Sequence, residues 1–209
     1  MKYLTVFFIV MFLSAELFAQ SFKVKATGKQ SFNFSNELKN QATVFSTTPL
    51  EDVEGIADGV VGTASFDLSN FSETLSGSFE VKVATMKTGI QLRDQHLRSP
   101  NWLDEEEYPL IKFDVTGAEN VKQISDNKIE ADVKGSFSLH GVTKQITAKS
   151  TITYLDESEA TKKRAPGDLL VIKSTFNVKL SEYEVENNVI GSKVAEDIEV
   201  TVNLVGNNK

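Results

Sequence analysis

No cysteine occurs anywhere in this chain of 209 residues. That excludes disulfides, thiolate metal ligands, a thiol nucleophile and attachment as a bacterial-type lipoprotein, which needs a cysteine at the processing site. Histidine occurs only twice, as His96 and His140, so a metal site on both would need carboxylate help. Positive charge is in deficit: 22 Lys and Arg stand against 29 Asp and Glu, a net charge of −7. An acidic chain does not bind nucleic acid by counterion release, nor dock on anionic membranes through a polybasic patch. Long apolar runs are missing too. The most apolar stretch, Leu4 to Leu13, is too short to span a bilayer core of about 30 Å, so the chain is not expected to be an integral membrane protein.

That short run has another use. Lys2, the apolar Leu4–Leu13 stretch and the Ala15–Ala19 region have the order of a secretory signal, with cleavage expected after Ala19. Lys2 and Glu16 would leave together, so the mature charge stays at −7. The expectation is a periplasmic or secreted protein whose residues 20–209 form a single domain, large enough for a core that needs no disulfides.

What is present is period-two alternation. Val60, Ala64, Phe66 and Leu68 share one face. Phe79, Val81 and Val83 alternate with Glu80 and Lys82, and Ile129, Ala131, Val133, Gly135, Phe137 and Leu139 alternate with charged or small polar residues. Ile146–Tyr154, Leu170–Leu180 and Ile198–Leu204 repeat the pattern. An apolar face against a charged one marks antiparallel strands with one wet side. The spacing suggests a closed sheet or a sandwich. Strands of about ten residues, or ~33 Å, suit an all-β barrel better than a small sandwich. A barrel of eight strands would have an interior just wide enough for side chains or one slender ligand. The small inward candidates Ala64, Ala131, Gly135 and Ala148 either relieve crowding or leave a cavity. Helix signals are confined to Ile90–Ser99, ended by Pro100, which predicts a short helical cap. Val53–Gly59 and the charged Leu155–Gly167 read as loops, the second as a mobile one.

The segment Met86–Phe113 concentrates His, Arg, Asp and Trp between two strands and invites a catalytic reading. The rest of the chain does not complete one. There is no G-x-S-x-G elbow and no phosphate-binding glycine loop. His96 lies in R-D-Q-H-L-R without metal-ligand spacing, and His140 lies in L-H-G-V, a natural turn. Glu105-Glu106-Glu107 reads as a solvated turn rather than a calcium loop. Asn33-Phe34-Ser35 and Asn70-Phe71-Ser72 match a glycosylation pattern that arises often by chance. No catalytic residue, metal or cofactor is assigned. Leu92, Leu97, Trp102, Leu103 and Tyr108 either pack as a lid over one barrel end or close its mouth around an apolar ligand.

Three blocks together resemble a known family: T-G-I-Q-L-R-D-Q-H-L-R-S at Thr88–Ser99, W-L-D-E-E-E-Y-P-L-I-K-F at Trp102–Phe113 and G-S-F-S-L-H-G-V-T-K at Gly135–Lys144. They are similar to the linked motifs of the YceI family, periplasmic, lipocalin-like proteins that bind polyisoprenoid or other long-chain lipids. The chain departs from the family at Trp102-Leu103, where a Phe pair is common, and at K-L-S-E-Y-E-V-E, Lys179–Glu186. The resemblance implies an all-β, eight-stranded antiparallel lipocalin-like barrel with a short helical cap, exported and enclosing a long-chain lipid or isoprenoid in an apolar channel. Parity and motifs together select wall contacts Phe66, Phe79, Val81, Val83, Ile111, Phe113, Val133, Phe137, Ile152, Phe176 and Val178. Mouth or lid contacts are Met86, Leu92, Leu97, Trp102 and Leu103, with Arg93, His96 and Arg98 toward a polar head or, alternatively, fastening the cap. Two other readings stay open: an exported enzyme or metal protein using His96 and His140, and a protein-binding module on an inert barrel. A homodimer stays open as an assembly.

Overall fold

The structure, a computed structural model, describes residues 22–209; the expected leader lies outside the described residues. Three strands of the sheet are broken in the middle. They are β1 (Lys29–Phe34) with β2 (Gln41–Thr47), β3 (Asp52–Asp58) with β4 (Val61–Asp67), and β5 (Ser76–Lys82) with β6 (Met86–Lys87). Five long strands follow: β7 (Leu110–Ser125), β8 (Lys128–Leu139), β9 (Val142–Leu155), β10 (Leu169–Lys179) and β11 (Asp197–Asn207). Their antiparallel pairing runs β1–β4–β5–β7–β8–β9–β10–β11 and returns to β1 through Asn33 opposite Asn207. β2 pairs with the other half of β11, Glu199–Asn203, and β3 pairs with β2. The result is a closed, eight-stranded antiparallel barrel, which leaves no long free edge.

One residue seals the breaks. Asn40 is 1% exposed; its side-chain amide donates to the Val205 carbonyl at 3.1 Å and accepts the Val205 N–H at 2.7 Å. The amide thus imitates a backbone rung where β1 gives way to β2. The Asn40 carbonyl also accepts the N–H groups of Gly59 and Val60, at 3.0 and 3.1 Å, across the β3–β4 break.

The barrel has a filled base and an open mouth. At the base, Phe22, Phe32, Phe66, Phe71 and Tyr154 pack with ring centroids 5.0–6.0 Å apart. Phe71 opens α1 (Phe71–Thr74), and Tyr154 donates its hydroxyl to Asp168 at 2.6 Å. At the mouth lie the 48–51 turn, α2 (Gln91–Arg98) with the turns after it, the β8–β9 hairpin and the 184–196 segment. The β8–β9 hairpin turns through His140 and Gly141, both at positive φ (49° and 75°), the geometry that two-residue hairpins require.

Two expectations need correction. Val53–Gly59 is not a loop, since Asp52–Asp58 forms β3 and pairs with β2 along its whole length. Its inward residues are Val53, Gly55 and Ala57, two of them small, and Ile56 stands among the acidic outward ones, so the alternation carries little apolar signal. The Leu155–Gly167 segment is a connection, as expected, but it is tied down rather than loose. Glu157 accepts the Gly167 N–H at 2.6 Å, Asp168 accepts the Glu157 N–H at 2.7 Å, and Arg164 donates to the Leu38 carbonyl.

Candidate ligand cavity

Register decides what faces the barrel axis. Ala131, Ser150, Ser174, Val202, Ala42 and Ala57 are successive cross-strand partners from β8 round to β3. Small side chains therefore form an oblique band along one wall. Facing residues elsewhere are large: Phe79, Ile111, Phe113 and Phe176 point inward by register, yet each is only half-buried. An inward aromatic that still meets solvent borders empty space. That space is a cavity of about 700 Å³ reaching from the base plug to the mouth, within the range usual for small-molecule sites.

The wall is almost wholly apolar. Phe113 and Phe176 lie nearly parallel with centroids 6.4 Å apart, and Phe137 meets Phe176 edge-on at 5.4 Å. Hydroxyls of Ser46, Ser150 and Ser174 interrupt it. Ser150 and Ser174 share a 2.7 Å hydrogen bond, and Ser150 also donates to the Ala148 carbonyl at 3.2 Å, so neither is left unpaired. Ala64 and Ala148 border the cavity and give it width. Gly135 does not, because the Phe113 ring lies where its side chain would be, 2.5 Å from a Cβ built there.

Most wall residues expected from parity line the cavity: Phe79, Val81, Ile111, Phe113, Val133, Phe137, Ile152, Phe176 and Val178. Phe66 does not, being fully buried in the base plug, and Val83 does not, being buried in the 3₁₀ turn between β5 and β6. At the mouth, Met86, Leu92, Arg93, His96, Leu97, Trp102 and Leu103 all border the space, and Arg98 does not.

The lid's charges act as fasteners. Arg93 donates to the Thr88 hydroxyl at 2.9 Å and to Glu51 at 3.0 Å. Arg98 donates to the Met86 carbonyl at 3.2 Å and pairs with Glu105 at 3.4 Å. Asp94 accepts the Thr88 hydroxyl and N–H, both at 2.6 Å. Those two bonds, the hydroxyl first, hold the Asp94 carboxyl below its ordinary pKa. Packing adds to these bonds through half-buried Leu97, although α2 has no fully buried residue.

The two histidines occupy different places. His96 borders the cavity, whereas His140 does not; its Nδ1 lies 3.1 Å from the Tyr183 carbonyl and its ring meets Tyr108 edge-on. Among the described residues no cluster of three or more His, Asp or Glu is arranged to hold a metal.

Sequence reading missed the opposite lip. Asn187, Val189, Lys193 and Val194 also border the mouth. The segment is held by the Ala195 N–H on the Ser46 hydroxyl at 2.8 Å and by Asn187 on the Asn101 carbonyl at 3.3 Å. Its only sequence signal is the scatter of Val189, Ile190 and Val194 among polar residues.

A barrel with this cavity has known counterparts. The YceI-like domain pattern matches residues 22–206. This chain belongs to the YceI-like family. Among its relatives, a UPF0312 protein of Pseudomonas savastanoi pv. phaseolicola is 39% identical over 90 residues, covering 43% of this chain and 44% of the relative. One from Pseudomonas fluorescens is 32% identical over 99 residues, 47% of this chain and 50% of the relative. Each match thus spans half or less of the relative's length. In structure, Burkholderia cenocepacia BcnA superposes with a TM-score of 0.63 at 17% identity, over 82% of this chain and 98% of BcnA. A polyisoprenoid binding domain from Saccharophagus degradans gives 0.62 at 12% identity, over 88% of this chain and all of that domain. At such identities the likeness establishes the shared barrel.

Proposed function

We propose that this YceI-like protein is an exported binding protein that encloses a long-chain apolar ligand, a polyisoprenoid or related lipid, for carriage, storage or sequestration. The observation that carries the reading is the cavity of about 700 Å³, bordered by half-buried inward aromatics and by the lid and lip residues of the mouth. Family membership favours binding over catalysis, and the polyisoprenoid binding domain with the same barrel favours an isoprenoid chain. The leader-like N-terminus supports export to the periplasm or beyond.

Energetics are sufficient without a charged contact. Each buried methylene contributes about 0.8 kcal/mol, so a ten-carbon tail gains roughly 8 kcal/mol gross. Ordering the tail and losing its free motion removes several kcal/mol of that. Micromolar affinity needs about 8 kcal/mol net, so a chain of about fifteen carbons or more reaches it from the wall alone. The apolar lining residues are the proposed tail contacts, and His96 with the polar lip residues, which border the cavity, are the proposed head-group contacts. Solvent extraction of the purified protein should release a long-chain lipid; extracts that hold none, from protein expressed in lipid-replete cells, would contradict the reading.

A further inference from the structure

Large apolar side chains exposed to water are not spread evenly over this barrel. Among the described residues, Leu50, Ile90 and Leu92 are the most exposed of them, at 76%, 53% and 61%, and all three lie at the mouth. Leu50 sits in the 48–51 turn, whose N–H groups are held by the Thr48 hydroxyl. Ile90 and Leu92 start the lid helix. Turn and lid are joined by the Glu51–Arg93 ion pair at 3.0 Å, so the charges between these apolar groups neutralise each other. Ile90 and Leu92 also border the cavity, which makes the exposed patch continuous with the interior.

We propose that this rim docks on a neutral lipid bilayer and that the apolar ligand passes across it between membrane and cavity. The proposal rests on the reading of the cavity as a lipid site. A long-chain ligand that crossed free water would expose every methylene, whereas a rim seated in the interface keeps the chain in apolar surroundings throughout. Interfacial binding grows with buried apolar area, and electrostatic attraction adds to it only on anionic lipid. With a net charge of −7 this chain is repelled by anionic lipid, so the surface it fits is zwitterionic. A protein partner would equally cover apolar side chains, but it would not need them to run on into the cavity wall.

The test uses the full chain and phosphatidylcholine vesicles. Leu50 does not border the cavity, so its variants separate docking from ligand holding. Wild-type protein should float with the vesicles, Leu50→Gln should lower partitioning about tenfold, and Leu50→Trp should raise it with a blue shift in emission on vesicle addition. Retention of an isoprenoid delivered in detergent should be equal in all three, and thermal unfolding should show all three folded. Wild-type protein that does not float, Leu50→Gln floating as well as wild type, or binding only to vesicles that carry membrane proteins would each overturn the docking surface. A barrel left empty after detergent delivery would overturn the cavity reading itself, in a measurement separate from flotation.

Discussion

Asn40 replaces backbone with side chain at the weakest point of the barrel. Between β1 and β2 no main-chain rung faces Val205, and the Asn40 amide supplies both the donor and the acceptor in a site 1% exposed. Asn40→Leu would keep the volume near that of the original and leave the Val205 N–H and C=O unpaired. The expected cost is about 2–4 kcal/mol, since each buried polar group without a partner costs roughly 1–3 kcal/mol. Denaturant unfolding should show the midpoint falling with the slope unchanged. A loss under 0.5 kcal/mol, roughly the scale of surface substitutions, would mean that the rung is dispensable. Nothing in the sequence marked this residue, because an asparagine after a left-handed Lys39 (φ 53°) reads as a turn. His140 was legible for the opposite reason: His-Gly between two alternating strands points to a two-residue hairpin, and the hairpin is there.

Lid attachment belongs to the scale of the element. α2 hangs on polar contacts, and Asp94 to Thr88 is the shortest of them at 2.6 Å. Because Asp94 has its pKa lowered in the fold, this anchoring is fully present above the ordinary aspartate value of about 4 and is lost as pH falls through the lower folded value. Hydrogen-exchange protection in residues 88–99, taken relative to the intrinsic rate at each pH, should therefore fall toward acid pH. Asp94→Ala should release bound lipid several-fold faster at neutral pH, with the acid response of the lid reduced; release at the wild-type rate would contradict the anchor. Periodicity and Pro100 made this helix readable, as did the strands that alternate Val or Phe with charge. Two elements were not readable. In β3 the inward Gly55 and Ala57 are small and Ile56 lies on the outer face, so the period-two contrast is blurred, and the 184–196 lip depends on long-range bonds to Ser46 and Asn101 that no local pattern encodes.

At the scale of the molecule, the barrel divides its interior between a packed base and an empty upper part. The base depends on Tyr154, whose hydroxyl is raised in pKa by burial first and by its bond to Asp168 second; Tyr183, under the mouth, is raised by burial and then by Glu182. A phenol raised in the fold stabilises fully below its unfolded value of about 10 and that stability is lost as pH rises beyond it, because the unfolded chain ionises first. Stability should accordingly fall above about pH 10, less steeply in Tyr154→Phe, which should itself cost about 1–2 kcal/mol at neutral pH; a flat wild-type profile between pH 9 and about 11 would contradict this. The upper part carries the central claim. Ala148, 2% exposed and bordering the cavity, is the place to fill it. Native mass spectrometry of the intact protein, mixed with a long-chain isoprenoid, should show one adduct per chain in wild type and none in an Ala148→Trp variant that still unfolds cooperatively. Wild-type protein that stays at its bare mass, or a filled barrel that binds as well as the open one, would contradict the account.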